Sequence, residues 1–124
     1  MKNNPTIGVV SISYNEEVDL PGFLENLVKW VDEIVIIDDG SSDNSEKICL
    51  RYGSKVKFIK SKRKPNEFFS HQRNKGIDIS TTDWILHLDI DERVSKEMAS
   101  EILSSISSKK YDAYRFKRLN YFFH

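Results

Sequence analysis

A run of four apolar residues, 34–37, ends directly in Asp38-Asp39-Gly40. The run has the length of a β-strand but lacks the alternation of a strand that has one face in water. Continuous apolar strands of this kind occur in parallel sheets that helices cover on both faces. We therefore expect an α/β domain with an open, mainly parallel sheet flanked by helices.

Strand-like and helix-like segments alternate along the rest of the chain. Strands are predicted at residues 7–13, 56–59 and 84–88, which are short and rich in β-branched or apolar side chains. A last strand is predicted at residues 114–117, where aromatic and basic residues alternate, and no stop signal follows it. The chain is therefore expected to end within a structural unit.

Helical spacing of apolar residues predicts helices after the first and the fourth of these strands. The apolar positions of the first helix are Val18, Leu20, Phe23, Leu24, Leu27, Val28 and Val31. Those of the last helix are Met98, Ala99, Ile102, Leu103 and Ile106. Asp19 and Ser95 lie at the start of these two runs and are the predicted N-caps.

Two further helices are predicted between the strands. Asp43 and Glu46 have the spacing of a capping box, which starts a short helix that Gly53 ends. The other helix is predicted over residues 67–79. Strands that alternate with helices in this way indicate right-handed crossovers and a doubly wound sheet.

Polar clusters follow three of the predicted strands. Tyr14-Asn15-Glu16 follows the first strand, Asp38-Asp39-Gly40-Ser41 the second and Asp89-Ile90-Asp91-Glu92 the fourth. Parallel strands bring their carboxyl ends to one edge of a sheet, and the strand order 3-2-1-4 would make these three loops neighbours. Open α/β sheets bind ligands at this edge, so a nucleotide is expected there.

Asp89 and Asp91 are separated by one residue at the end of a predicted strand. Alternate residues of an extended segment point the same way, so both carboxylates can face one hard cation and the phosphates that it neutralises. The chain has no glycine-rich phosphate loop, which favours Mg²⁺ or Mn²⁺ in that role. Arg73 and Lys75, on the preceding helix, would add positive charge. The simpler alternative is that the aspartates only solvate a loop or cap a helix.

Composition excludes several classes of protein. The 124 residues, 1–124, suit one domain, and 19 basic and 19 acidic side chains cancel, so no net field attracts nucleic acid. The single cysteine, Cys49, is expected to be a buried, inert thiol in a reducing compartment. No apolar run approaches membrane-spanning length, and the N-terminus lacks the core of a signal peptide. We therefore expect a cytoplasmic protein, with the inner face of the membrane as the alternative location.

Four ordered motifs resemble those of the family 2 glycosyltransferases of the GT-A fold, which is Rossmann-like. They are Ser11-Ile12-Ser13-Tyr14-Asn15-Glu16-Glu17, Ile36-Ile37-Asp38-Asp39-Gly40-Ser41-Ser42-Asp43, Gln72-Arg73-Asn74-Lys75-Gly76 and Leu88-Asp89-Ile90-Asp91-Glu92. In order and spacing the resemblance covers nearly all of residues 6–107. The segments Trp30-Val31-Asp32-Glu33 and Asp91-Glu92-Arg93-Val94-Ser95 look closest to the branch that builds lipopolysaccharide cores and related bacterial glycans.

The resemblance implies a nucleotide-sugar site made by the first two of these motifs. Tyr14 would pack against the base, and Asp39 would hydrogen-bond it with Asp38 as a helper. Asn15 and Glu16 belong to the same binding loop. The alternatives are that Tyr14 is a core residue and that Asp38 is a turn residue before Gly40.

The resemblance assigns the diphosphate and the metal to the other two motifs. Arg73 would line the diphosphate, Asp91 would ligate the divalent cation, and Asp89 would contact the ribose or the metal shell. Arg73 could instead belong to a solvated helix face. His87 is interpreted as a strand residue outside the site, and the basic run 60–64 as a solvated loop that in this family can border the phosphates.

The implied reaction is metal-dependent transfer of a sugar from a nucleoside-diphosphate sugar, with a UDP-sugar preferred, to a glycan or lipid-linked acceptor. Inversion at the sugar is expected, within cell-surface polysaccharide or lipopolysaccharide biosynthesis. The family's general base and acceptor-binding half correspond to sequence beyond residue 124, so transfer by these residues alone is open.

Two alternatives from other classes remain. One is a truncated module that binds a nucleotide sugar without transferring it. The other is a phosphoacceptor receiver domain, although receivers place their acidic pair after the first strand and not the second. The sequence leaves open a homo-oligomer and a peripheral membrane association of a longer form.

Overall fold

The computed structural model describes residues 4–108 of the chain. Its elements are β1 (Ile7–Ser13), α1 (Leu20–Leu27), β2 (Glu33–Asp38), α2 (Ser45–Leu50), a 3₁₀ turn (Gly53–Lys55), β3 (Val56–Lys60), α3 (Phe69–Ile79), β4 (Trp84–His87) and α4 (Lys96–Ser108). The four strands and four helices predicted in this part of the chain are therefore present. The strand predicted at residues 114–117 lies outside the described residues.

The four strands form one parallel sheet in the order β3-β2-β1-β4, which is the order under which the three polar loops were expected to meet. β1 pairs with β2 from Gly8 opposite Glu33 to Ser13 opposite Asp38, and with β4 from Ile7 opposite Trp84 to Val10 opposite His87. Because β1 lies between β2 and β4, the loops that follow these three strands meet at one edge of the sheet.

Helices cover both faces of the sheet, which explains why β2 is apolar throughout. On one face the buried core includes Val9, Phe23, Leu24, Ile36 and Ile102. On the other face Val10, Val35 and Ile37 form a smaller cluster beneath α3. Gly76 of α3 lies so close to Val10 that any side chain at this position would collide with it. This close approach fixes how α3 sits on the sheet.

The first helix is shorter than its apolar pattern predicts. α1 ends at Leu27, and Val31 is buried through a turn in which its amide donates to the Leu27 carbonyl at 3.1 Å. Val18 precedes the helix and is 87% exposed, so its place on the predicted apolar face is wrong. Asp19 occupies the N-cap position but forms no side-chain capping bond.

The predicted capping box of α2 is wrong, because the helix begins at Ser45 with Asn44 as N-cap. The Asp43 carboxylate accepts hydrogen bonds from the amides of Ser45 and Glu17, both at 3.0 Å. Glu46 instead forms an ion pair with Lys60 at 2.9 Å. Gly53 lies three residues beyond the last helical residue with a φ of +65°, a conformation that favours glycine.

The boundaries of α3 and α4 differ in detail from the predictions. α3 begins at Phe69, because the Glu67 carboxylate closes a preceding turn by accepting the Lys64 amide at 2.9 Å. Ser95 caps α4 as predicted, since its Oγ accepts the Met98 amide at 3.1 Å. Leu103 is exposed and so does not share the buried face of α4. None of the helices between residues 4 and 108 combines the length and hydropathy needed to cross a membrane.

Candidate functional site

Two adjoining cavities open at the carboxyl edge of the sheet. The Asp39 cavity, of about 420 Å³, is lined by Tyr14, Asp39, Lys62, Arg63, Lys64, Pro65, Glu67 and Phe69. The Asp91 cavity, of about 750 Å³, is lined by residues of β1, α3 and β4 and by Tyr14, Glu16, Asp89, Asp91 and Glu92. Tyr14 and Phe69 line both cavities. A ligand that filled both would therefore pass these two aromatic side chains.

The loop after β1 is fastened to the loop after β2. Asn15 has a φ of +52°, its amide donates to Ser41 Oγ at 2.7 Å, and its Oδ1 accepts the Ser42 amide at 2.8 Å. The side chain of Asn15 therefore joins two loops. Tyr14 is 59% exposed at the mouth of both cavities, so it is not a core residue.

Asp38 organises the turn that follows β2. Its Oδ2 accepts the amides of Gly40 at 3.2 Å and Ser41 at 2.8 Å, and its Oδ1 accepts Ser41 Oγ at 2.6 Å. Gly40 has a φ of +97°, which a residue with a side chain rarely adopts. The buried carboxylate of Asp38 thus stabilises the turn, and its contact with a nucleotide stays a prediction.

Asp39 lies in the Asp39 cavity as an ionised hydrogen-bond acceptor. Its Oδ1 accepts the Arg63 amide at 2.6 Å, and its Oδ2 accepts Arg63 Nε at 2.9 Å. Burial by itself would raise the pKa of Asp39. The hydrogen bonds and charge of Arg63, with the charge of Lys62, outweigh burial and hold the pKa below its usual value.

Arg63 is a site residue that the sequence did not single out. Its guanidinium carbon lies 4.2 Å from the centre of the Phe69 ring, so the side chain is held between Asp39 and Phe69. The cavity wall thus places an acceptor, Asp39, next to a donor, Arg63. The only signal in the sequence was the basic run 60–64, which is more often a solvated loop.

The α3 segment Gln72-Arg73-Asn74-Lys75-Gly76 lies beside the candidate site, and its side chains differ in how they contact it. Gln72 is fully buried, and its Nε2 donates to the Ser61 carbonyl at 2.5 Å and reaches Asp39 Oδ1 at 3.5 Å. Arg73 lines the Asp91 cavity, and its contact with a diphosphate stays a prediction. Lys75 lines neither cavity, and its Nζ donates to Ser61 Oγ at 2.9 Å, so its contribution to a phosphate site stays a prediction.

Asp89 and Asp91 project from the turn after β4 into the Asp91 cavity, and both are exposed. Ile90 between them is buried in the core, and the two aspartates lie on the exposed side of the turn. The buried carboxylate of Glu92 accepts the Asp89 amide at 2.6 Å, while the Glu92 amide donates to the Asp89 carbonyl at 3.0 Å. These two bonds close the turn.

Glu16 adds a third carboxylate to this cavity. Its pKa is raised, first by burial and then by the negative charges of Asp19, Asp91, Asp89 and Asp43. Burial is the largest cause of the raised pKa, and repulsion from the neighbouring carboxylates adds to it. A bound cation would relieve this repulsion.

The donor set fits Mg²⁺ or Mn²⁺, which prefer carboxylate oxygens. Within residues 4–108 no cluster of three or more His, Cys, Asp or Glu side chains is arranged to hold a metal ion by itself. That is compatible with Mg²⁺ in nucleotide sites, where one or two carboxylates act together with substrate phosphates. Asp89 and Asp91 could supply those carboxylates from one wall of the cavity.

His87 also lines the Asp91 cavity, although the sequence analysis placed it outside the site. Its pKa is lowered, first by burial and then by the charge of Arg73. The available signal was its position two residues before Asp89, which gives both side chains the same direction along an extended segment.

The parallel sheet with acidic loops at its carboxyl edge defines an α/β domain of GT-A type, as predicted. The sequence model of the family described as "Glycosyl transferase family 2" matches residues 8–123. The chain therefore belongs to glycosyl transferase family 2. This membership removes the receiver-domain alternative.

Several curated bacterial proteins are similar in sequence. An uncharacterized glycosyltransferase of Rickettsia felis is 30% identical over 116 residues, which cover 91% of this chain and 39% of the relative. The uncharacterized glycosyltransferase YibD of Escherichia coli K12 is 29% identical over 107 residues, covering 84% of this chain and 31% of the relative. The chain thus spans about two fifths or less of these relatives.

Solved structures share the fold at lower identity. Staphylococcus aureus TarS 1-349 in complex with UDP-GlcNAc has a TM-score of 0.62 and 22% identity, covering 83% of this chain and 31% of that one. Glucosyl-3-phosphoglycerate synthase from Mycobacterium tuberculosis, in complex with Mn²⁺ and UDP-glucose, has a TM-score of 0.58 and 20% identity. That match covers 72% of this chain and 34% of the synthase. At these identities the similarity shows the fold alone.

Proposed function

We propose that this chain is the donor-binding part of an enzyme that transfers a sugar from a nucleoside-diphosphate sugar, with a divalent cation. The observation that carries the proposal is the pair of adjoining cavities in a family 2 domain. One has the ionised Asp39 in its wall, and the other has Asp89 and Asp91. A base in the first and a diphosphate in the second would span the edge of the sheet.

The Asp39 cavity is assigned to the base. Tyr14 supplies an exposed aromatic face for stacking at its mouth. Asp39 can accept a hydrogen bond from an imide N–H, while Arg63 beside it can donate to a ring carbonyl. Uracil presents such an N–H between two carbonyl groups, whereas adenine presents none, so UDP-sugars are the proposed donors.

The Asp91 cavity is assigned to the diphosphate and the sugar. Arg73 would pair with the phosphate oxygens, and Asp91, with Asp89, would hold the cation. Bound Mg²⁺ or Mn²⁺ would stabilise the negative charge that builds on the departing diphosphate. His87 would face the phosphate or sugar hydroxyl groups from the end of β4.

The similar proteins support these assignments. TarS structures contain UDP or UDP-GlcNAc, and the glucosyl-3-phosphoglycerate synthase contains Mn²⁺ with UDP-glucose. A cholesterol galactosyltransferase of Borreliella burgdorferi is 27% identical over 109 residues, so the matched proteins include one whose acceptor is a lipid. We extend the proposal to a glycan or lipid-linked acceptor, with inversion at the sugar.

We assign the chain to the branch of the family that builds lipopolysaccharide cores or related cell-surface glycans. This assignment rests on the segments Trp30-Val31-Asp32-Glu33 and Asp91-Glu92-Arg93-Val94-Ser95. The acceptor site and the general base are proposed to lie beyond residue 124, as the resemblance implies.

Calorimetry tests the donor proposal. The purified protein is titrated with UDP, GDP and ADP in the presence of Mn²⁺, of Mg²⁺ or of a chelator. We expect UDP to bind more tightly than ADP and to bind only when a metal is present. Equal binding of UDP and ADP would contradict the role of Asp39 and Arg63, and UDP affinity that chelation leaves unchanged would contradict the metal role.

A further inference from the structure

The guanidinium of Arg93 joins the turn after β4 to the beginning of α1. Its Nη1 donates to the carbonyls of Ile90 at 2.8 Å and Glu92 at 2.9 Å, and its Nη2 donates to the Asp19 carbonyl at 2.9 Å. All three acceptors belong to the main chain. The contact therefore depends on the relative position of two segments that are 74 residues apart in sequence.

Gly22 of α1 leaves the space that this guanidinium occupies. A Cβ atom at Gly22 would lie 2.8 Å from Arg93 Nη2, which is too close for a real contact. The obstructed atom is the end of a flexible side chain, so a methyl group here would displace the guanidinium and not the helix. Gly22 thus offers a way to disturb the contact while the charge of Arg93 is retained.

The two joined segments carry carboxylates of the same cavity. Glu16 lies just before α1, where its carbonyl accepts the Leu20 amide at 2.9 Å, and Asp91 lies on the turn after β4. Both carboxylates line the Asp91 cavity, Glu16 from the loop after β1 and Asp91 from the turn after β4. The bonds of Arg93 lie between these two acidic segments.

A second tie connects the same elements away from the cavity. Asn26 Nδ2 donates to the Val94 carbonyl at 2.9 Å, and Asn26 Oδ1 accepts the Val94 amide at 2.8 Å. Val94 is also buried in the core. The docking of this chain segment on α1 therefore does not depend on Arg93 alone, whereas the shape of the 90–92 turn depends on it more directly.

We propose that Arg93 is a positioning residue that holds the Asp89 and Asp91 turn at a fixed distance from the Glu16 loop. In this position the carboxylates of Asp89 and Asp91 face a cation bound together with a nucleoside diphosphate, while Glu16 lines the same cavity. The inference rests on the proposed function, because it concerns how that cation site is built. It adds a residue that acts through the main chain and does not touch the ligand.

A positioning role and a purely electrostatic role of Arg93 predict opposite effects of its removal on metal affinity. A guanidinium near the cation site repels the cation, so loss of its charge alone would strengthen metal binding. Loss of a group that orients metal ligands typically weakens metal affinity by about 10–100-fold. The sign of the change in Mn²⁺ affinity therefore separates a positioning role from a purely electrostatic one.

The experiment compares the wild-type protein with Arg93→Met and Gly22→Ala. Mn²⁺ affinity is measured in the presence of UDP from the electron paramagnetic resonance signal of free Mn²⁺. Uridine binding is measured by NMR without metal, because uridine lacks phosphates and reports only the Asp39 cavity. Arg51→Met, an exposed position at the end of α2, is the control for loss of a guanidinium.

We expect Mn²⁺ to bind about 10-fold more weakly to both test variants, with uridine affinity unchanged and Arg51→Met like wild type. Unchanged or stronger Mn²⁺ binding by the variants would overturn the proposal, as would an equal loss of uridine binding, which indicates general distortion. If Arg93→Met does not fold, the Mn²⁺ affinity of Gly22→Ala tests the proposal. This variant is expected to fold, because alanine favours a helix more than glycine does. UDP binding by the wild type that Mn²⁺ does not affect would instead overturn the proposed metal site, and this inference with it.

Discussion

Asp39 and Arg63 form a two-point contact in which one residue donates both its main-chain amide, at 2.6 Å, and its Nε, at 2.9 Å, to a single carboxylate. The contact fixes the loop after β3 against the end of β2 and keeps the carboxylate ionised. The same two residues line the cavity assigned to the base. Stability and ligand binding are therefore linked at this pair.

Asp39→Asn should lower the free energy of unfolding at neutral pH. The folded-state pKa of Asp39 lies below its ordinary value of 3.8, so its stabilising contribution is present above that value and is lost as pH falls through the folded-state pKa. We expect a loss of about 1.5 kcal/mol at pH 7, the lower end of the range for hydrogen bonds to charged groups, because Arg63 is partly exposed. Urea unfolding at pH 7 and pH 3 measures this loss, which should shrink at pH 3. An equal loss at both pH values would contradict it.

Asp39→Ala should also weaken nucleotide binding in the presence and in the absence of metal. The substitution removes the acceptor proposed for the imide N–H, which lies on the base and away from the phosphates. Titration with UDP and with uridine measures the effect, and both affinities should fall. A loss confined to metal-containing buffer would show that Asp39 acts on the phosphate side.

Asp91→Asn should weaken metal-dependent UDP binding without lowering the melting temperature. Asp91 is exposed, and its negative charge repels that of Glu16. Neutralising Asp91 therefore removes a repulsion and not a stabilising contact. Calorimetry with Mn²⁺ and thermal unfolding measure the two effects, with exposed Asp78→Asn of α3 as the control. A large fall in melting temperature would indicate that Asp91 has a structural role.

Glu16→Gln should stabilise the metal-free protein at neutral pH. The folded-state pKa of Glu16 is raised above its ordinary value of 4.5, so the ionised form destabilises the fold as pH rises beyond 4.5. We expect a gain of about 0.5 kcal/mol, typical of interactions between partly exposed charges. Unfolding curves between pH 4 and pH 8 should converge for the two proteins at the acid end. A variant less stable than wild type at pH 7 would contradict this account.

The 124 residues alone are expected to bind donor but not to transfer sugar at a useful rate. The groups assigned to the donor lie between Tyr14 and Glu92, while the proposed base lies beyond residue 124. Loss of a positioned general base typically costs about 10²–10⁴ in rate. Turnover by this chain is compared with that of any longer natural form, in a screen of donors and acceptors. Equal turnover would place a base within these residues.

Several features of the fold could be predicted from local sequence patterns. Continuous apolar residues in β2 and helical spacing in α1 and α4 specify which side chains face a core, because these periods follow from backbone geometry. Asp89 and Asp91 do line one cavity, but from a hydrogen-bonded turn and not from the extended segment that the prediction assumed. The order of the elements along the chain and the acidic ends of the strands were therefore available from the sequence.

The contacts that complete the site depend on where separate loops meet in space. Arg63 reaches Asp39 across 24 residues and Arg93 reaches Asp19 across 74, and no local period relates such pairs. The predicted capping box of α2 failed partly because Asp43 accepts the amide of Glu17, from the loop after β1, and the helix begins one residue later. The amino-acid sequence by itself determined the scaffold and the type of its acidic groups. The tertiary structure decided which positively charged side chains and carbonyl groups lie next to those acidic groups. The positions of side chains on different loops are set only when the strands pack side by side.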